Sequence, residues 1–155
     1  MKTKYIIQAA VIAAIYAVLT VALAPISYGV MQVRVSEALT ILPLFTPAAI
    51  PGLFVGCLVS NTLGPYGLVD MICGSAASLL AAWCSRLLRG RPALVPLPPV
   101  LFNGVIIGGM LYFAYGIGVP LIPCMLWVAL GQAISCYGLG YPLLRCLQKY
   151  RRIFE

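Results

Sequence analysis

The chain alternates long apolar runs with short basic clusters. Lys2 and Lys4 precede an apolar run from Tyr5 to Ala24. Arg86, Arg89 and Arg91 interrupt the middle, and Arg145, Lys149, Arg151 and Arg152 lie near the end. A helix rises about 1.5 Å per residue, so an apolar run of roughly 20 residues crosses the hydrocarbon of a bilayer. Runs of that kind predict spans at about 5–24, 66–85, 97–116 and 120–144. The last two come from the uncharged stretch between Arg91 and Arg145 and turn at Gly116-Ile117-Gly118-Val119-Pro120, where Gly and Pro favour a turn.

The apolar stretch from Ala38 to Ser60 reads as one long span or two short ones. Charge parity decides. With Lys2 and Lys4 in the cytoplasm, the chain is outside near Pro25, and Arg86, Arg89 and Arg91 belong inside. An odd number of crossings must separate the two. A single crossing would strand about 20 apolar residues in water. Three crossings place short helices at about 36–48 and 51–63, turning between Thr46 and Gly52. Helices this short are tilted, broken at Pro43 or shielded by protein. The predicted fold is an all-α integral membrane bundle of six transmembrane helices, one domain over residues 1–155, with both termini cytoplasmic. Outside lie a loop at about 25–35, a turn at Gly64-Pro65-Tyr66-Gly67, and the Gly116 turn.

Composition agrees with a multi-pass protein of the cell membrane. Of 155 residues, 63% are hydrophobic and 8% charged, too little charge to cover a soluble surface. The net charge of +7 comes from residues flanking apolar runs, so the expected partner is the lipid bilayer and not nucleic acid. There is no histidine and no Cys-x-x-Cys pair, which leaves no zinc site of the usual kind and no expected cofactor. Cys57, Cys73, Cys84, Cys124, Cys136 and Cys146 read as small packing residues. Without histidine no Ser–His or Cys–His pair exists, and there is no Walker loop for ATP, so an enzyme is not expected. Lys2, Lys4 and Ala22-Leu23-Ala24 resemble a cleavable leader. The run is long enough to span, however, and Pro25 would follow the cut, so it is read as a retained helix.

Two rows of alanine mark the first span: Ala9, Ala13 and Ala17, and beside them Ala10 and Ala14. Four-residue spacing puts each row on one face, where small side chains let a second helix approach closely.

The remaining polar residues carry the functional signal. Gln32, Arg34, Ser36, Glu37, Asn61 and Asp70 fall near the outer ends of the predicted helices, with Tyr112 and Tyr115 on the fifth span and Trp127 and Gln132 on the sixth. Charge inside hydrocarbon costs roughly 2.5–3.5 kcal/mol per group, so such residues pair or face a cavity. Two readings stay open here. Arg34 and Glu37 form a structural ion pair at three-residue spacing, with Asp70 at the water interface and the rings in an aromatic belt. Alternatively the acids and amides line an outward-opening pocket for a flat heterocycle with N–H donors, on which the rings stack.

The stretch Gly29-Val30-Met31-Gln32-Val33-Arg34-Val35-Ser36-Glu37-Ala38-Leu39-Thr40-Ile41-Leu42-Pro43 resembles the signature of the QueT family, and Gly56-Cys57, Asn61, Asp70, Gly74 and Asn103-Gly104 extend the resemblance over nearly the whole chain. Members of that family are substrate-binding S components of energy-coupling factor (ECF) transporters for queuosine precursors. The resemblance implies a 7-deazaguanine ligand: queuine, or the 7-aminomethyl or 7-cyano form. It also implies an outer loop closing over that ligand, an ECF transmembrane coupling subunit docked on the alanine face of the first helix, and two ATPase subunits. Glu37 or Asp70 would then accept the guanine edge, Asn61, Asn103 and Gln132 would read the rest, and Arg34 would orient Glu37 or hold the loop. The chain departs from the family at Gly131-Gln132, where a Gly-Glu pair is expected. Other readings are an S component for a different heterocyclic vitamin and a structural membrane subunit without ligand.

Overall fold

The structure, a computed structural model, describes residues 2–28 and 31–150. Gly29 and Val30 of the signature stretch, and Arg151 and Arg152 of the last basic cluster, lie outside the described residues. Among the described residues all regular structure is helical. Helix α1 runs Lys2–Ala22 and is followed by a single turn, α2, Ala24–Ser27, with Pro25 in its first turn. A 3-10 helix covers Val35–Leu44. Helices α3 (Ala49–Thr62), α4 (Gly67–Leu87) and α5 (Leu97–Phe113) follow. The last rod begins as α6, Leu121–Ala133, widens into a π-helix at Ile134–Gly140, and resumes as α7, Tyr141–Lys149.

Four helical stretches are long and apolar enough to cross a membrane: Lys2–Ala22, Gly67–Gly90, Pro92–Phe113 and Leu121–Lys149. They match the four expected long runs. The last outruns its expected end at 144 because α7 continues as an amphipathic helix, with Leu144 buried and Arg145 and Lys149 exposed. Where short spans were expected at 36–48 and 51–63, the chain forms shorter apolar helices, Val35–Leu44 and Ala49–Thr62, of 10 and 14 residues. Pro43 lies inside the first of these without breaking it. This 3-10 helix is unusually long for its type. Its rise of about 2 Å per residue stretches it to roughly 20 Å, against about 15 Å for an α-helix of equal length. Nearly every residue from Ser36 to Pro43 is buried, so neighbouring helices shield its weaker hydrogen bonds.

Close helix contacts set the frame. A Cβ on Gly56 would stand 2.8 Å from the Tyr16 Cβ and 2.9 Å from the Ala13 carbonyl, so α1 and α3 pack backbone to backbone. Ala13 is buried and Ala9 half-buried on this seam, while Ala10 and Ala14 are exposed. The two alanine rows therefore differ: the first packs within the chain and only the second remains outside it. One core forms where α1, the 3-10 helix, α3 and α7 meet, around Tyr16, Ile41, Leu53 and Leu144. A second joins α5 to α6 around Ile107, Leu111, Cys124 and Val128. The described basic clusters gather at one end. Gln8 meets Thr46 there, and Arg86 donates to the carbonyls of Pro43 and Leu44 at 2.8 and 3.4 Å.

Candidate functional site

The polar residues of the interior converge on the start of the 3-10 helix. Arg34 precedes it in an extended conformation (φ −93°, ψ 107°), which turns the guanidinium away from Glu37 and toward α4. Its Nη2 forms an ion pair with Asp70 Oδ2 at 3.6 Å, and its Nε donates to the Ser27 carbonyl at 3.2 Å. The three-residue Arg34–Glu37 ion pair, one of the two readings open from the sequence, is thus replaced by a pair with Asp70. The guanidinium also lies over the Tyr28 ring, 5.3 Å from its centroid.

Glu37 is held by a residue the sequence reading passed over. Tyr16, halfway along α1, donates its hydroxyl to Glu37 Oε1 at 2.5 Å. One turn later Thr20 and Ser36 join hydroxyls at 2.6 Å. Tyr16 and Thr20 are polar residues four apart in the otherwise apolar second half of α1, which is the signal that could have found them. Cys57 sits between Arg34 and Asn61, its sulfur 3.9 Å from Arg34 Nη1 and 3.4 Å from Asn61 Nδ2. Asn61 donates in turn to the Asp70 carbonyl at 3.1 Å.

A second arm reaches the same point from α5 and α6. Asn103 Nδ2 donates to Gln132 Oε1 at 3.2 Å. Cys136, in the π-helix, touches Gln132 Oε1, the Thr40 hydroxyl and the Glu37 carbonyl at 3.6–3.9 Å. The widened turn brings that thiol against the 3-10 helix, a use of π geometry common at functional sites.

The arrangement is closed. Gln32, Arg34, Glu37, Asn61, Asp70, Asn103 and Gln132 are each at most 3% exposed, where an outward-opening pocket was expected. The connecting strip at 31–34 seals it. Gln32 adopts a left-handed φ of 46°, uncommon for a side-chain-bearing residue and strained by roughly 1–3 kcal/mol. Gly131 makes room for the strip, since a Cβ there would overlap the Met31 carbonyl. A tyrosine relay ties down the outer end. Tyr28 donates to the Ser60 carbonyl at 2.6 Å, Tyr66 to the Tyr28 carbonyl at 3.0 Å, and Tyr115 to the Tyr66 carbonyl. Burial pushes the Tyr28 and Tyr66 phenols above their ordinary pKa, so both remain donors.

Several polar atoms in this closed cluster have no hydrogen-bond partner: Gln32 Nε2, Arg34 Nη2, Glu37 Oε2, Asn61 Oδ1 and both carboxylate oxygens of Asp70. Buried polar atoms left unpaired cost about 1–3 kcal/mol each, more when charged, so a folded chain seldom keeps several without a use for them. Tyr112 and Trp127 are not brought to this cluster. They are 40% and 45% exposed, and Tyr112 packs edge-on against Phe113. No group of three or more His, Cys, Asp or Glu side chains is placed to hold a metal among the described residues.

Apolar helices long enough to cross a bilayer, around a buried cluster of polar side chains with hydrogen-bonding atoms to spare, define a membrane protein with a polar interior. The profile of the QueT transporter family matches residues 6–149, and the chain belongs to that family. It is 40% identical over 81 residues to the queuosine precursor transporter QueT of Lactococcus lactis subsp. cremoris (strain MG1363). That stretch covers 51% of this chain and 47% of the relative, so the match spans about half of each. No solved structure matches the chain.

Proposed function

We propose that this chain is the substrate-binding membrane subunit of an ECF-type transporter and captures a queuosine precursor of the 7-deazaguanine class. The observation that carries the reading is the set of unpaired buried atoms around Arg34, Glu37, Asn61 and Asp70. A 7-deazaguanine edge offers an N1–H, an exocyclic amine and a carbonyl, which match two acceptors and a donor. Asp70 has both carboxylate oxygens free of hydrogen bonds, with Oδ2 facing Arg34 across the ion pair, and can take the two-donor edge. Glu37 offers Oε2 alone, because Tyr16 occupies Oε1. Gln32 Nε2 is a free donor for the carbonyl, and Asn103 and Gln132 flank the far side. The membrane topology in this proposal has six crossings with the basic end in the cytoplasm, and the site is loaded from outside when the strip at 31–34 lifts.

Energy coupling would come from a transmembrane coupling subunit and two ATPase subunits. Ala10 and Ala14 are exposed on α1, so this row and not Ala9–Ala13 is the face for the coupling subunit. Calorimetry on the purified full chain with queuine and its 7-aminomethyl and 7-cyano relatives, against guanine and a vitamin panel, tests the cargo. A folded sample that ignores all the deazaguanines removes the substrate assignment. A10L/A14L should retain ligand binding and lose co-purification with the coupling subunit.

A further inference from the structure

We infer that the basic end of the bundle carries a binding site for a phosphate group, separate from the buried cluster. A cavity of about 670 Å³ opens there, lined by Leu44, Phe45, Arg89, Pro92 and Gln148. Its lining is amphiphilic: a guanidinium and an amide beside apolar walls. Arg86 fixes the adjoining end of the 3-10 helix through the Pro43 and Leu44 carbonyls. Arg89 follows Arg86 by three residues, a spacing that keeps two like charges near each other. Among the described residues no acidic side chain pairs with either. The chain has three acidic residues, of which Glu37 and Asp70 are buried in the other site and Glu155 lies outside the described residues. The only ion pair among the described residues is Arg34–Asp70.

Like charges held together without a counter-charge are stabilised by an anion. A phosphate group fits the guanidinium fork in two parallel hydrogen bonds and accepts from the Gln148 amide. The phosphate could belong to a lipid headgroup, whose chains would lie along Leu44, Phe45 and Pro92, or to free phosphate; the chemistry recognised is the same.

Native mass spectrometry of the full chain released from nanodiscs of mixed phosphatidylglycerol and phosphatidylcholine reads the lipid source. Thermal stability in phosphatidylcholine discs with inorganic phosphate reads the free ion. The wild type should retain phosphatidylglycerol in preference to phosphatidylcholine, and R89Q should reduce that preference about fivefold. R145Q removes the same charge from a side chain that bonds Tyr141 and does not line the cavity, so it should leave the preference intact. Stabilisation by phosphate that R89Q abolishes also supports the site and makes the free ion its occupant. Equal retention of both lipids with no phosphate effect overturns the proposal, as does an equal loss in R89Q and R145Q, which would reduce it to net charge.

Discussion

The Arg34–Asp70 pair permits a quantitative test of the buried site. The groups are 3% and 0% exposed and stand 3.6 Å apart, without a hydrogen bond between them. At an effective dielectric of about 20, opposite charges at that separation attract by about 4.6 kcal/mol. Desolvation offsets much of this, so the pair adds little net stability while it is intact. Removing one partner is another matter, because the other charge stays buried and alone. Asp70→Asn keeps the side-chain shape and strands Arg34, and Arg34→Gln strands Asp70. Each should cost about 3–5 kcal/mol in equilibrium unfolding from mixed micelles. The double variant should cost at least about 1.5 kcal/mol less than the sum of the singles, since neither charge is then left behind. Additivity within about 0.5 kcal/mol would refute the reasoning, because the two groups would then titrate and unfold independently.

Further outcomes follow from the same geometry. Tyr16→Phe deletes the donor to Glu37 Oε1 and should destabilise the fold by about 1.5–3 kcal/mol in the same unfolding assay, the value of a hydrogen bond to a charged group. Gly131→Ala places a methyl against the Met31 carbonyl and should raise the ligand dissociation rate, read by stopped-flow, by holding the strip at 31–34 open. Gly56→Val forces α1 off α3 at Tyr16 and Ala13 and should lower thermal stability more than Gly109→Val, where the nearest atom is the flexible end of Met125. Tyr112→Ala and Trp127→Ala, both on exposed positions, should leave calorimetric ligand affinity unchanged within about twofold.

The long helices were legible because a run of apolar residues is a strong and local signal. That Arg34, Glu37, Asn61 and Asp70 matter together was legible for the complementary reason: charge and amide groups are rare in such a chain, and each must find a partner or a cavity; their complete burial was not. Nor was their pairing. Three-residue spacing points Arg34 at Glu37, but the extended backbone at Arg34 sends the guanidinium to a residue 36 positions away on α4. Tyr16 was missed because a tyrosine inside an apolar span reads as one more ring. Tyr112 and Trp127 were drawn in by the same ambiguity, since a ring near a span end suits both a pocket and a membrane interface. The cysteines at 57 and 136 read as packing residues, and no spacing distinguishes a thiol beside a guanidinium or an amide from one beside leucine. Neither the 3-10 winding of Val35–Leu44 nor the π-helix at Ile134–Gly140 has a sequence mark, because both are settled by their neighbours.

The winding of Val35–Leu44 has a mechanical corollary. A 3-10 helix turns about 120° per residue and an α-helix about 100°. Rewinding this ten-residue screw into α form would shorten it by roughly 5 Å and swing one end about 200° relative to the other. Glu37 and Thr40, now stacked one turn apart, would fall out of line, and the carboxylate would leave the reach of Tyr16. The pitch of one short rod therefore sets which way the central acid points.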